Sequence, residues 1–149
     1  MSTITAQRRS AEILYVEDEE SFVYLTRRAF GMTGHKVNLH HVKNGEACMD
    51  FIRHCGEYVN SPTPDLILLD LSMPRMDGRE VMETIYNDES LRHLVVIVLT
   101  SSDDEKDVRD MYRLRCSSYV VKPVNFDNFT VAIRSLCEFW LTVVQLPTV

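Results

Sequence analysis

Long hydrophobic runs are absent from this chain of 149 residues. Its longest uninterrupted apolar segment, Leu94 to Leu99, is far shorter than the ~20 residues that a membrane-spanning helix requires. The polar residues Ser2 to Ser10 at the amino terminus also lack the apolar core of a secretory signal peptide. We therefore expect no membrane partner and a location in the cytoplasm.

Positive charge and cysteine are both scarce. The chain carries 16 Lys and Arg against 22 Asp and Glu, a net charge of −6, so it lacks the clustered cations that nucleic-acid binding requires. The four cysteines form no CxxC pair, and none of the five histidines completes a zinc-ligand spacing with them. We therefore expect no nucleic-acid partner and reduced, mostly buried thiols at Cys48, Cys55, Cys116 and Cys137.

Two hydrophobic patterns alternate along the chain. Apolar runs too short for helices indicate strands buried on both faces, and an alternating segment, Val37 to His40, is typical of an edge strand. Segments with one apolar stripe of helical period lie between them. This alternation predicts an α/β, flavodoxin-like fold, a doubly wound sheet of five parallel strands in the order 2-1-3-4-5 with five helices. The four buried strands are expected at Ile13 to Val16, Leu66 to Leu69, Leu94 to Leu99 and Tyr119 to Val121.

No repeat, low-complexity tract or linker divides the sequence. We expect a flexible tail over residues 1–11 and a single domain over residues 12–149 that ends in a helical extension. Only 27 residues follow Lys122, enough for one helix and a short tail, so we expect no output domain.

Polar residues stand where the predicted strands end. Glu17 and Asp18 follow the first strand, Asp70 follows the third, Thr100 ends the fourth and Lys122 follows the fifth. Taken singly, each acidic residue is explained as a solvated loop or helix-cap residue. Together, three converging carboxylates either raise one another's pKa or share a hard cation, and oxygen ligands of this kind suit Mg²⁺.

A metal-bound Asp70 beside a lysine and a threonine suits phosphoryl transfer. Its carboxylate can attack phosphorus while Mg²⁺ and Lys122 neutralise the phosphoryl oxygens. The Thr100 hydroxyl can donate a hydrogen bond to one of those oxygens. The residues therefore predict phosphoryl acceptance on Asp70.

These residues lie in motifs that resemble the receiver domain of two-component response regulators. The spacings of 30 residues from Asp70 to Thr100 and 22 from Thr100 to Lys122 fit that family. The resemblance extends from Ile13 to about Leu141, nearly the whole chain. It rests on the segments ILYVED, DLILLDLSMPRMDG, VLTS and YVVKP.

The resemblance implies a role for each acidic residue. Asp70 would be the phosphoacceptor, and Asp18, Asp70 and the main-chain carbonyl of Ser72 would bind Mg²⁺, for which Mn²⁺ or Ca²⁺ can substitute. Glu17, in place of the commoner aspartate, would act on the metal through water. No enzymatic activity is implied beyond the chain's own phosphorylation and autodephosphorylation.

The resemblance also implies how the phosphoryl group is bound and sensed. Thr100 and Lys122 would contact it, and Tyr119 would be the aromatic switch residue coupled to Thr100. We further expect a cis peptide bond between Lys122 and Pro123, because the chain must turn sharply while the lysine points into the crevice.

The partners implied are a sensor histidine kinase and a second copy of the chain. The segments Gly56 to Pro62 and Glu138 to Pro147 resemble the small regulators of cyanobacterial phytochromes, which makes a phytochrome the candidate kinase. We expect a homodimer through the fourth helix, fifth strand and fifth helix, unless the tail folds back onto its own domain. The surplus apolar side chains that indicate it are Phe139, Leu141, Val143, Val144 and Leu146.

Two other classes of function share part of this residue pattern. A haloacid-dehalogenase-like phosphatase also uses an aspartate nucleophile, but it needs a second aspartate two residues later, where this chain has Ser72. A receiver-like interaction module that works without phosphorylation remains the alternative, although such proteins usually lack the acceptor, the acidic pair or the lysine.

Overall fold

The structure, a computed structural model, describes residues 10–147. Strands and helices alternate along this part of the chain, a 3₁₀ turn at Gly56–Tyr58 follows the second helix, and a π-helix at Phe139–Val143 continues the last one. The strands are β1 (Ala11–Val16), β2 (Val37–Val42), β3 (Leu66–Leu69), β4 (Val96–Thr100) and β5 (Ser118–Val121). The helices are α1 (Glu20–Gly31), α2 (Gly45–Ile52), α3 (Gly78–Tyr86), α4 (Glu105–Arg113) and α5 (Phe126–Glu138).

All five strands are parallel and stand in the order β2-β1-β3-β4-β5, which confirms the predicted fold. Val16 at the end of β1 pairs with both Val42 and Leu69, so three neighbouring strands end level with one another. This register places the residues that follow the strands along a single edge of the sheet.

The sheet separates two hydrophobic layers. Side chains alternate along β1, so Leu14 and Val16 face α2, α3 and α4, whereas Ile13 and Tyr15 face α1 and α5. Strands β3 and β4 are buried along their whole length because helices cover both faces. Burying each of these Val, Leu and Ile side chains contributes about 1.5–3 kcal/mol before the entropy of ordering is subtracted.

Several boundaries differ from those predicted. Strand β1 begins at Ala11, inside the predicted tail, of which residues 1–9 lie outside the described part of the chain. Strand β4 begins at Val96 rather than Leu94, because the Leu94 amide instead donates to the Leu91 carbonyl in a turn. Strand β2 extends past His40 to Val42.

The expected cis bond between Lys122 and Pro123 is wrong, because this bond is trans. The Lys122 amide still donates to the Thr100 carbonyl (2.8 Å), so the chain stays alongside β4 up to the lysine. The turn is then distributed over the residues up to Asn125, whose side chain accepts a hydrogen bond from Asn128 N–H (2.8 Å) and caps α5.

The carboxy-terminal segment is covered only in part by its own domain. Trp140, Leu141 and Leu146 pack against the layer formed by α1 and α5, as the folded-back alternative predicts. Phe139 and Val143 remain 49% and 71% exposed.

Among residues 10–147, no helix is long and apolar enough to cross a membrane. All four cysteines are free thiols and only one of them, Cys55, is exposed.

Candidate functional site

The predicted polar residues meet at the carboxyl edge of the sheet. Asp18, Asp70, Thr100 and Lys122 line one open cleft of about 530 Å³, together with Ser72, Ser101 and Ser102. Each reaches the cleft because its strand is parallel to its neighbours and ends at the same level.

The acidic residues form a compact cluster of oxygen donors. Carboxylate oxygens of Glu17, Asp18 and Asp70 all lie within 4.8 Å of one another. Glu17 and Asp70 are buried, and Asp18 is exposed at the mouth of the cleft. The donors are all hard oxygens and one side is open to water, so the residues fit a small divalent cation such as Mg²⁺ or Mn²⁺.

Backbone contacts fix the position of this cluster. The Asp70 N–H donates to the Val16 carbonyl and the Glu17 N–H to the Val42 carbonyl, both at 3.1 Å. Gly78, at the start of α3, lies so close to the Asp70 backbone that a Cβ atom would stand 2.2 Å from its carbonyl oxygen. The residue after Asp77 therefore has to be glycine if α3 is to begin beside the acidic cluster.

Lys122 is buried, and its positive charge offsets part of the negative charge of the acidic cluster. Its ammonium hydrogen-bonds to Glu17 Oε1, lies 3.9 Å from Asp70 Oδ2 and sits 3.9 Å above the Phe22 ring. The structure thus places the lysine beside Asp70, as the motifs predict, whereas its contact with a phosphoryl group stays a prediction. The pairing with Glu17 and the cation–π contact with Phe22 were not predicted, because both exist only in the folded chain.

Glu17 is held in a strongly perturbed environment. Burial raises the pKa of its carboxyl to about 7, an effect that Lys122 opposes and Asp70 reinforces. The Tyr15 hydroxyl donates to Glu17 Oε1 (3.0 Å), and His41 Nε2 lies 2.7 Å from the Glu17 carbonyl oxygen. Neither Tyr15 nor His41 was singled out from the sequence.

Tyr119 lies beside the loop that follows Thr100. Its hydroxyl donates to the Ser102 carbonyl (2.9 Å), and its N–H donates to the Tyr112 hydroxyl (3.1 Å). Burial raises the pKa of the Tyr119 hydroxyl, which keeps it protonated as a donor. The predicted aromatic residue therefore contacts the loop two residues beyond Thr100, where β4 ends.

A parallel five-stranded sheet with an acidic cluster, a hydroxyl and a lysine at its carboxyl edge is typical of a receiver domain. The family model described as response regulator receiver domain matches residues 13–134. The chain therefore belongs to the response regulator receiver family of two-component systems.

Similar proteins include phytochrome response regulators, as the sequence motifs indicate. The chain is 38% identical over 135 residues to response regulator Rcp1 of Synechocystis sp., a match that covers 91% of this chain and 92% of Rcp1. The phosphorylated cyanobacterial phytochrome response regulator RcpA has a similar structure, with a TM-score of 0.89 and 34% identity over 94% of this chain and 100% of RcpA. The Mn²⁺-bound form of Rcp1 is also similar, with a TM-score of 0.87 and 37% identity over 93% of this chain and 99% of that one.

Proposed function

We propose that this chain accepts a phosphoryl group on Asp70 from a sensor histidine kinase and transmits the signal by a conformational change. The observation that carries the proposal is the placing of Asp70 in one cleft with Asp18, Thr100 and Lys122. An acidic cation site, a hydroxyl donor and an ammonium group thus surround one carboxylate nucleophile.

The transfer requires in-line attack on phosphorus. An Asp70 carboxylate oxygen forms the new O–P bond while the P–N bond to the donor imidazole breaks, and the imidazole leaves with that electron pair and takes up a proton. The Thr100 hydroxyl donates to a phosphoryl oxygen, and the Lys122 ammonium moves from Glu17 towards another. A Mg²⁺ ion held by Asp18, Asp70 and the Ser72 carbonyl, with Glu17 acting through water, would neutralise phosphoryl charge.

The relatives support a phytochrome as the kinase partner. RcpA is a cyanobacterial phytochrome response regulator, and its structure matches this one over nearly the whole chain. We infer that the donor is a histidine kinase of the phytochrome class. Phosphotransfer from a panel of purified histidine kinases tests this inference, and preferential transfer from a kinase without a phytochrome sensor contradicts it.

Substitution of the acceptor tests the phosphorylation itself. The wild-type chain, given acetyl phosphate and Mg²⁺, should gain the mass of one phosphoryl group, and the gain should disappear with EDTA. Asp70→Asn removes the nucleophile and should abolish uptake. Asp104→Asn is the matched control, because asparagine keeps the cap of α4 while the charge change is the same. Full labelling of the Asp70→Asn variant would overturn the assignment.

A further inference from the structure

Arg79 occupies an unfavourable position for a cation. It lies in the first turn of α3, between the cap residue Asp77 and Glu80, whose side chains form a capping box. The positive end of the helix dipole disfavours a cation there. Contacts with residues outside α3 therefore have to stabilise the Arg79 guanidinium.

Two carboxylates of α4 stabilise the positive charge of Arg79. Arg79 donates to Asp107 Oδ1 through one nitrogen and to Asp110 Oδ2 (2.7 Å) through the other. The three side chains are between 23% and 33% exposed, so water only partly screens the pairs. This fork is the planar arrangement that arginine can make and lysine cannot.

Asp107 connects Arg79 to a residue of the cleft that contains Asp70. Its Oδ2 accepts a hydrogen bond of 2.6 Å from the Ser102 hydroxyl, and that hydroxyl oxygen accepts one of 3.3 Å from the Asp104 N–H. Ser102 lines the same cleft as Asp70. An unbroken chain of contacts therefore runs from Arg79 through Asp107 to Ser102 in the lining of the cleft.

We propose that Arg79 is a positioning residue that holds the Ser102 side chain in the lining of the cleft and so limits the access of water to phosphorylated Asp70. This inference rests on the proposed function. In the step it slows, a water oxygen bonds to phosphorus while the bond from phosphorus to the Asp70 oxygen breaks. The Asp70 carboxylate keeps that electron pair, and inorganic phosphate leaves with the protons of the water. Tyr119 holds the Ser102 carbonyl, whereas Asp107, itself held by Arg79, holds the Ser102 side chain. Loss of the arginine therefore loosens the side chain that narrows the approach of that water.

The test compares the lifetime of the phosphorylated protein across variants. Each variant is phosphorylated with acetyl phosphate and Mg²⁺, the donor is removed, and loss of the phosphoryl mass is followed. Arg79→Gln should shorten the lifetime about three- to fivefold, as expected for loss of the partly exposed ion pair that holds Asp107. Arg79→Lys keeps the charge but not the two-nitrogen contact with Asp107 and Asp110. The lifetime of this variant should fall between those of the wild-type chain and Arg79→Gln. Arg75→Gln removes an exposed pair with Glu46 and should leave the lifetime unchanged.

A double substitution separates this role from a general loss of stability. Ser102→Ala should also shorten the lifetime, and adding Arg79→Gln should shorten it little further, because the arginine acts through the serine hydroxyl. An unchanged lifetime in Arg79→Gln, or additive effects in the double variant, would overturn the inference.

A measurement on the unphosphorylated protein keeps the two proposals distinguishable. Amide hydrogen exchange in residues 101–107 should be faster in Arg79→Gln than in Arg75→Gln, with β1 and β3 unchanged in both. If the wild-type chain takes up no phosphoryl group, the proposed function fails and this exchange decides the positioning role. Equal exchange in the two variants rejects that role.

Discussion

At the scale of single residues, Lys122 allows the proposed cation binding and phosphoryl binding to be tested separately. Its ammonium contacts Glu17, so a cation bound by the acidic cluster would compete with it. We expect Lys122→Met to bind Mg²⁺ at least as tightly as the wild-type chain, because the competing charge is gone. Phosphoryl uptake from a small donor should slow about 100-fold, since one donor to the phosphoryl oxygens is lost.

Calorimetric Mg²⁺ titration and the rate of mass gain measure the two effects. Lys36→Met, a change of the same kind at an exposed position before β2, should alter neither. Loss of Mg²⁺ binding in Lys122→Met would contradict this separation of roles.

Gly78 is a second position where a single added carbon atom is expected to change the stability of the chain. A methyl group there meets the Asp70 carbonyl and the Leu71 Cα, both parts of the backbone that cannot rotate away. We expect Gly78→Ala to destabilise the chain by about 1–3 kcal/mol and to weaken Mg²⁺ binding. Gly31→Ala is the matched control, because nothing lies within 4 Å of the added atom. Urea unfolding of both variants checks this, and equal stability would contradict the close approach.

The sequence predicts the residues that meet in the cleft better than the residues that hold them in place. Asp70 and Lys122 could be predicted because the ends of parallel strands must meet at one edge. His41 and Arg79 could not, because their partners lie 24 and 28 residues away and no local pattern connects them. Lys122 was assigned only to the phosphoryl group, because its pairing with Glu17 exists only in the folded chain.

At the scale of elements, the pairing of α3 with α4 predicts an acid-sensitive contribution to stability. The Ser102 hydrogen bond, together with Arg79, lowers the pKa of Asp107. A carboxyl whose folded-state pKa is lowered stabilises the fold above its unfolded-state value of about 3.9, and this stabilisation is lost as the pH falls through the folded-state pKa. Wild-type protein should therefore exceed Arg79→Gln in free energy of unfolding at neutral pH, and the difference should shrink below about pH 4.

Urea unfolding over a pH series measures this difference. The Arg75→Gln variant provides the comparison, because the wild-type Arg75 guanidinium pairs with Glu46 on the exposed surface and not with α4. A difference between wild type and Arg79→Gln that stays constant down to pH 3 would show that the link between α3 and α4 does not titrate in this range.

The sequence locates both central strands that are buried on both faces, but it gives the correct bounds for only one of them. Strand β3 has the predicted bounds because its four residues are all apolar and Asp70 follows at once. The start of β4 was misplaced because Leu94 and Val95 continue the apolar run, yet the turn bond from Leu94 to Leu91 delays pairing until Val96. Hydrophobicity locates a strand, whereas hydrogen bonding sets its ends.

At the scale of the whole molecule, the strand order follows from alternation and right-handed crossovers, which leave few arrangements for five parallel strands. Assembly has no comparable rule. Leu141 and Leu146 pack on their own domain, so they no longer argue for a dimer, whereas Phe139 and Val143 stay exposed. The sequence could not separate these groups because it does not show where the tail turns back.

We propose a homodimer through α4, β5 and α5, whose elements expose Tyr112, Val121 and Val131. Because Tyr119 on β5 contacts the loop after Thr100, rearrangement of that loop on phosphorylation should alter the same surface. We expect sedimentation at micromolar concentration to show a dimer whose affinity changes with a beryllofluoride phosphoryl mimic. Val121→Lys should weaken it at least tenfold by burying a charge, and Val59→Lys, on the exposed turn before β3, should not. A strict monomer in both states rejects the dimer, and equal affinity in both rejects its coupling to phosphorylation.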